Sequence, residues 1–353
     1  MNPTHHIIVH TTPEYPVYLG SGLLGTHLTE FLLRSPYSEF MVVTDSTVAP
    51  LYLERVLQSV ANCGRKCGHA VFPAGESSKQ LSTVATILSS FAGFGLTRTG
   101  AVLALGGGVT GDMAGFAAAI WLRGVPFIQL PTTLLAMVDS SVGGKTGVDL
   151  PAGKNLVGAF RQPAAVFADC DTLATLPAEQ QRNGLAEMLK TAVIGDAGLF
   201  EELWHAPEAR LAASSIARCV QIKAQIVAAD PEEHGQRKLL NLGHTAGHAV
   251  EQKSNFTLPH GYGVAIGMVM AAQAGVNAGL TSPECRNAIA AALNDCGLPT
   301  HSPWPPSELL PAMQSDKKRA GDQITVVVPH TVGECLLHRI ALDELPRFWE
   351  GCA

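Results

Sequence analysis

In "GAVLALGGGVTGDMAGF", residues 100–116, an unbroken apolar run of strand length ends on three consecutive glycines and passes straight into a helix of small residues. A strand with no polar face must be covered on both sides, which in a soluble protein means a parallel sheet between layers of helices. The flanking sequence repeats this pattern. "EFMVVTD", "GHAVFPAG" and "PFIQLPT" have strand length. Between them, "LYLERVLQSVANCG" (ending at Gly64), "SSKQLSTVATILSSFAGFG" and "DMAGFAAAIWLRG" carry helical periodicity. Right-handed crossovers then build an α/β layer whose ligands bind beyond the carboxyl ends of the strands.

From about residue 172 the strand signal fades. "TLPAEQQRNGLAEMLKTAVIG", "LAASSIARCVQIKAQIVAAD", "RKLLNLGHTAGHAVEQK", "HGYGVAIGMVMAAQAGVNAGL" and "PECRNAIAAALNDCG" all read as helices, and "QITVVVPHTVGECLLHRI" as one late β pair. A chain of 353 residues exceeds one ordinary core. The expected architecture is an α/β dinucleotide-binding domain with a parallel sheet over residues 1–171, followed by a mainly α-helical domain over 172–353.

Hydrophobic residues at 46% and charged residues at 15% suit a well-buried enzyme. The formal charge of −6 argues against nucleic acid as a partner while leaving room for a local basic pocket around a small anion. "MNPTHHIIVHTTPEYPVYLG" shows no secretory signal, and the most apolar window, "FAAAIWL", is too short to span a bilayer. A cytoplasmic location without a membrane partner is expected. Cys63 and Cys67 have no second pair to complete a zinc knuckle, so the eight cysteines read as reduced thiols.

At Gly106, Gly107 and Gly108 the backbone can approach a ligand closely. The helix that follows, through Thr110, Gly111 and Asp112, offers free N–H groups and the positive end of its dipole to a pyrophosphate. "SSVGGKTG" has an Asp at position 139 where a phosphate loop needs its first glycine, so it is no NTPase loop.

His244 and His248, four apart in "LLNLGHTAGHAV", have the spacing of two zinc ligands on one helix face. Thr245 follows the first of them, so the base of a metalloprotease is absent. A third ligand must come from elsewhere, with His260 at a helix start and Glu187, three residues before Lys190, as candidates. Spacing alone leaves the set open. Arg123, Lys145, Lys154, Lys190, Lys223, Arg237 and Lys317 stand beside apolar or glycine-rich segments, which suits an anionic substrate because isolated buried charge is costly.

Taken together, "PAGESSKQ", the run from "LALGGGVTGDM" to "AGKNLVGAF", "GLAEMLK", "IVAAD", "LLNLGHTAGHAVE" and "DKKRAG" resemble the 3-dehydroquinate synthases, a family of sugar phosphate cyclases. The likeness covers nearly the whole chain. It implies a homodimer whose helical domain over 172–353 binds metal and substrate, and which uses NAD+ and Zn2+ (or Co2+) to turn 3-deoxy-D-arabino-heptulosonate 7-phosphate into 3-dehydroquinate and phosphate. The implied route is transient oxidation, phosphate elimination, re-reduction, ring opening and intramolecular aldol closure.

Position by position, the resemblance implies metal ligands at Glu187, His244 and His260, with His248 facing the substrate phosphate and aiding proton transfer. The phosphate pocket falls on Lys145, Asn155, Asn241, His248 and Lys317, with Arg123 reaching it from the partner subunit. Lys223 and Arg237 match holders of the substrate carboxylate, and Asp139 and Lys190 match residues at the ring hydroxyls. Catalysis would rest on His248, Lys145, Lys190, Arg237, Asn241 and Lys223. For NAD+ the matching positions are Asp45, Gly75, Glu76, Lys79, Gly108, Gly111, Asp112, Thr132, Thr133, Lys145, Lys154, Thr172 and Thr175.

One departure stands out. The family reads His-Gly-Glu-Ala where this chain reads His260-Gly261-Tyr262-Gly263, so a carboxylate beside the ligand is lost. Two rival activities share much of this pattern: a related cyclase making 2-deoxy-scyllo-inosose or 2-epi-5-epi-valiolone, and a metal-dependent polyol dehydrogenase that would release NADH. A non-catalytic binding protein is the third alternative.

Overall fold

The computed structural model describes residues 4–151, 153–314 and 319–352. It divides into two compact units, one ending at Pro177 and the other beginning at Ala178.

In the first unit the strands are β1 (His5–Val9), β2 (Tyr15–Gly20), β3 (Glu39–Asp45), β4 (Lys66–Phe72), β5 (Ala101–Gly106), β6 (Phe127–Pro131), β7 (Lys145–Leu150), β8 (Gly153–Phe160) and β9 (Ala165–Asp169). Seven form one sheet in the order β1-β2-β9-β6-β5-β3-β4, and β7 and β8 pair separately as an antiparallel hairpin. Every pair in the large sheet is parallel except β1 with β2.

Helices α1 (Leu28–Arg34), α2 (Glu54–Ala61), α3 (Leu81–Phe94) and α4 (Gly108–Ile120) supply the covering layers. Neighbouring residues of one strand enter different cores. Phe40 and Val42 pack with Leu28, Leu32 and Val56, whereas Met41 and Val43 pack with Ile87, Phe91 and Met113. Two covered faces are why β3 and β5 read as continuous apolar runs.

β3 lies between β4 and β5, so the chain leaves β3 in one direction and later returns to its other side. That reversal makes a switch point at the carboxyl ends of β3 and β5, where open α/β sheets receive ligands.

β1, β2, β7, β8 and β9 are additional to the strands expected from the sequence. β9 is four apolar residues closed by Asp169, too short a run for periodicity to identify it. β8 turns Val157 and Ala159 toward the core with α4 and leaves Leu156 and Phe160 exposed, a pattern interrupted by Gly153 and Gly158. The division at Pro177 falls beyond the expected 171/172 boundary. Thr172 remains tied to the first unit, its hydroxyl donating to Asp169 O at 2.8 Å and its carbonyl accepting from Tyr52 Oη at 3.3 Å.

The second unit contains α5 (Ala178–Gly195), α6 (Ala197–His205), α7 (Ala213–Ala229), α8 (His244–Lys253), α9 (His260–Asn277), α10 (Pro283–Asp295), α11 (Pro306–Gln314) and α12 (Leu345–Phe348). A small antiparallel sheet of β10 (Arg319–Ala320), β11 (Gln323–Thr331) and β12 (Glu334–Ala341) completes it. α5 is buried continuously from Asn183 to Ile194, the mark of a helix enclosed by its neighbours rather than lying on a surface.

One expected helix is broken. "RKLLNLGHTAGHAVEQK" forms a tight helical turn over Gln236–Asn241, then reverses at Gly243 before α8 begins. Gly243 has φ 77°, a left-handed conformation that costs glycine nothing. His244 is therefore the first residue of a helix and not part of its interior. Among the described residues no helix is long and apolar enough to cross a membrane, and all eight cysteines are free thiols.

Candidate active site

In the first unit the residues of interest gather around the glycine turn. α4 starts at Gly108 with Gly107 as its N-cap and no side-chain cap, so its first N–H groups have no intrahelical or capping partner. The Gly106 carbonyl accepts Thr132 N–H at 3.0 Å, joining the ends of β5 and β6. The Thr132 hydroxyl is buried and has no hydrogen-bond partner, an orphaned polar atom at the mouth of the turn that a bound cofactor would satisfy. Thr133 Oγ1 accepts from Ala136 N at 3.2 Å, and Gly111 seats α4 against Gln129 of β6.

Asp45, at the carboxyl end of β3, is fully engaged. One oxygen accepts the N–H groups of Thr47 (2.9 Å) and Val48 (3.0 Å), and the other accepts the Thr110 hydroxyl at 3.1 Å. Across the loop after β4, Gly75 precedes a helical turn over Glu76–Ser78. Lys79 Nζ lies 2.6 Å from Asp112 Oδ2 and donates to Asn155 Oδ1 at 2.7 Å. Burial pulls the Lys79 ammonium down, but the carboxylates of Asp112, Glu76 and Asp149 outweigh it and hold its pKa above the ordinary value. Lys154 Nζ stands 3.6 Å from Glu76 Oε1.

The β7–β8 hairpin thus brings Asn155, grouped by the resemblance with the phosphate pocket, onto the same lysine as the cofactor residues. Thr175 Oγ1 is 2.5 Å from Tyr52 Oη, and the Thr172 hydroxyl donates to Asp169 O at 2.8 Å. Lys145 is exposed at the start of β7, Asp139 lies in the wide turn after β6, and Arg123 is exposed with φ 68° just beyond α4.

In the second unit three helices converge. Glu187, wholly buried on α5, has Oε2 2.5 Å from Lys190 Nζ one turn on. Its Oε1 lies 3.5 Å from His260 Nε2 and 3.9 Å from His244 Nε2. Both imidazoles are engaged through the opposite nitrogen: His244 Nδ1 is 3.1 Å from Leu242 O, and His260 Nδ1 is 2.9 Å from Glu251 Oε1. With both Nδ1 atoms facing acceptors, Nε2 is the ring nitrogen each histidine turns toward Glu187.

One donor atom each from Glu187, His244 and His260 lie within 4.8 Å of one another. A carboxylate with two imidazoles is a donor set for a catalytic divalent cation with an open coordination position. α9 is held to α5 by Gly261 N–H, which donates to Asn183 Oδ1 at 2.6 Å one turn before Glu187.

Burial draws the His260 imidazole down, but Glu251 and Glu187 outweigh it and hold the pKa at about 10. A cation seated there must displace that proton, so affinity rises with pH up to that value. Zinc uptake near neutral pH should release about one proton, read by calorimetry in buffers of different ionisation enthalpy.

His248 is one turn beyond His244, its ring centroid 5.2 Å from that of His244 and 5.9 Å from that of His260. Lys223 and Arg237 are buried cations, and Arg237 Nη1 donates to the Pro231 carbonyl. Asn241 Nδ2 donates to Glu233 Oε1 at 2.7 Å. Lys317 lies outside the described residues.

Glu233 and Glu251 have no place in the site as read from sequence. Glu233, with φ 66° in a non-glycine residue, is visible only through its backbone and its hold on Asn241. Tyr262 turns to Arg182, whose Nε donates to Tyr262 Oη at 2.9 Å.

A family model described as 3-dehydroquinate synthase N-terminal matches residues 69–183, and one described as 3-dehydroquinate synthase C-terminal matches residues 184–319. A 3-dehydroquinate synthase of Xanthomonas oryzae pv. oryzae (strain MAFF 311018) is 45% identical over 347 residues, 93% of each chain. Among solved structures, a 2-deoxy-scyllo-inosose synthase complexed with carbaglucose-6-phosphate, NAD+ and Co2+ is similar with a TM-score of 0.86 at 26% identity, covering 97% of this chain and 100% of its own. The 2-epi-5-epi-valiolone synthase of Streptomyces hygroscopicus subsp. jinggangensis 5008, with NAD+ and Zn2+ bound, has a TM-score of 0.86 at 28% identity over 96% of both chains. The overall architecture is shared with these cyclases, while sequence identity is markedly higher to the dehydroquinate-forming relative.

Proposed function

This chain belongs to the 3-dehydroquinate synthase family, and from that premise we propose that it converts 3-deoxy-D-arabino-heptulosonate 7-phosphate to 3-dehydroquinate and inorganic phosphate. It is a phosphate-eliminating, cyclising lyase of the shikimate route to aromatic amino acids. The observation that carries the reading is the meeting of Glu187, His244 and His260 in a chain that also presents an uncapped glycine turn.

A divalent cation, Zn2+ or Co2+, would be held by Glu187, His244 and His260. NAD+ would lie on the Gly106–Gly108 turn, with Thr132 and the Glu76–Lys79–Asp112 group beside it. When bound, the cation supplies Lewis acidity toward neighbouring hydroxyl oxygens, and the nicotinamide supplies a hydride acceptor that is restored within each turnover.

The chain's own residues do the remaining work. Lys190 fixes the Glu187 carboxylate and offers ammonium protons to a substrate hydroxyl, and Asp139 is a second hydroxyl partner. Lys223 and Arg237 present buried positive charge to the substrate carboxylate, whose binding offsets their desolvation. Lys145, Asn155, Asn241, His248 and Lys317 bind the phosphate, with Arg123 contributed across a homodimer. His248 moves a proton near the departing phosphate, for which an imidazole is suited at neutral pH. Holding the ring-opened intermediate in one conformer favours the aldol closure by proximity. The setting is cytoplasmic, with a small anionic sugar phosphate as partner and neither nucleic acid nor membrane required.

The test is phosphate release from the heptulosonate phosphate with catalytic NAD+. The expected result is phosphate without net accumulation of reduced nicotinamide, abolished by a chelator and restored by zinc or cobalt. Stoichiometric NADH would instead indicate a polyol dehydrogenase. Turnover of a different sugar phosphate to 2-deoxy-scyllo-inosose or 2-epi-5-epi-valiolone would indicate one of the related cyclases.

A further inference from the structure

His260 has a carboxylate on each of its ring nitrogens. Nε2 stands 3.5 Å from Glu187 Oε1, and Nδ1 stands 2.9 Å from Glu251 Oε1. The shorter contact is a hydrogen bond between a ring N–H and an acceptor-only oxygen, which keeps a proton on Nδ1 and leaves Nε2, toward Glu187, as the nitrogen that gives up its proton to a cation. Glu251, on the last turn of α8, is 1% exposed, so water does not compete for its carboxylate.

We propose that Glu251 is a positioning residue of the metal centre, fixing the orientation and tautomer of His260 and thereby setting how tightly the cation is held. This rests on reading Glu187, His244 and His260 as the ligands. A carboxylate behind a ligating imidazole raises its basicity and locks its plane, and the loss of such partners typically costs about 10–100-fold in metal affinity.

The local sequence explains how the carboxylate reaches the ring. A Cβ at position 263 would lie 3.0 Å from Glu251 Cγ and 3.3 Å from its Oε1. Gly263, where the family reads alanine, keeps that space open. Tyr262, where the family reads glutamate, is directed to Arg182 instead. The carboxylate missing at position 262 is thus distinct from the one that touches His260, which comes from a different helix.

A rival arrangement uses the same atoms. His248, Glu251 and His260 also bring one donor atom each within 4.8 Å, which would make Glu251 itself a ligand. The hydrogen bond disfavours it, because the Glu251 oxygen and His260 Nδ1 point at each other rather than at a common third point.

The experiment uses full-length protein stripped of metal and compares wild type, Glu251→Gln, Glu251→Ala and Glu187→Gln. Zinc affinity is measured against a chromophoric chelator, the visible absorption spectrum is recorded after loading with Co2+, and thermal unfolding of the stripped proteins reports the fold. Glu251→Ala should bind zinc about 10–100-fold more weakly with a shifted cobalt spectrum. Glu251→Gln, near-isosteric and still able to accept from Nδ1, should fold as wild type, lose less affinity and also shift the spectrum.

Wild-type affinity and an unchanged cobalt spectrum in Glu251→Gln, together with either result in Glu251→Ala, overturn the proposal. Complete zinc loss in Glu251→Ala with zinc retained by Glu187→Gln overturns it in favour of the rival ligand set. Should wild-type protein itself fail to take up one equivalent of zinc or cobalt, the ligand reading beneath the proposal falls, a result distinguishable from either of these.

Discussion

Glu187→Gln should leave the protein folded but unable to hold its divalent cation, and turnover should fall at least about 10³-fold. The side chain is wholly buried, with Lys190 at 2.5 Å from one oxygen and the two histidine Nε2 atoms 3.5 and 3.9 Å from the other. Glutamine preserves volume and one carbonyl oxygen, so the packing of α5 survives. It removes the negative charge that balances the cation and sets an amide NH2 either against the Lys190 ammonium or toward the position of the cation. Metal assistance contributes several kcal/mol of charge stabilisation, and each 1.4 kcal/mol or so is a factor of ten in rate, which sets the size of the loss.

Elemental analysis after desalting gives the metal content, and thermal unfolding gives an independent readout. Added zinc should raise the wild-type midpoint by mass action and leave that of the variant unchanged. A Glu187→Gln protein that keeps one equivalent of zinc at wild-type affinity removes Glu187 from the ligand set.

Substitution of the two histidines of α8 should separate binding from chemistry. His244→Ala is expected to lose both cation and activity. His248→Ala should retain the cation while the rate falls about 10²–10⁴-fold, the usual contribution of a positioned general acid or base. The expectation comes from geometry. His244 faces Glu187 through Nε2 and is held from behind by the Leu242 carbonyl. His248 is close to both other rings but stands apart from the Glu187 group. If His248→Ala loses zinc, the pairing of His244 with His248 returns as the correct reading.

Much of the first unit is visible in the chain itself. Strands buried on both faces are apolar at nearly every position, so β3, β5 and β6 stand out without any partner being known. The Gly106–Gly108 turn stands out equally, because strand, glycines and helix are contiguous. β7 and β8 were not legible. Their hairpin stands apart from the large sheet, pairs a largely buried strand with a half-exposed one, and is interrupted by glycines, so neither template of periodicity matches it. The break at Gly243 was hidden for a related reason. The apolar spacing of "LLNLGHTAGHAV" continues through a reversal that only the backbone dihedral reveals.

What the amino-acid sequence determined by itself is everything carried by neighbours along the chain: the covered strands, the glycine turn ahead of α4, the helical second half and the pool of candidate donors. The tertiary structure decided which donors meet. His244 and His248 are equivalent by spacing, and they differ because α5 and α9 deliver Glu187 and His260 to one side of α8. Glu251 reaches His260 across nine residues and a change of helix, through space that Gly263 leaves open. Convergence of this kind depends on how helices pack, and packing is set by contacts between segments that no local pattern encodes.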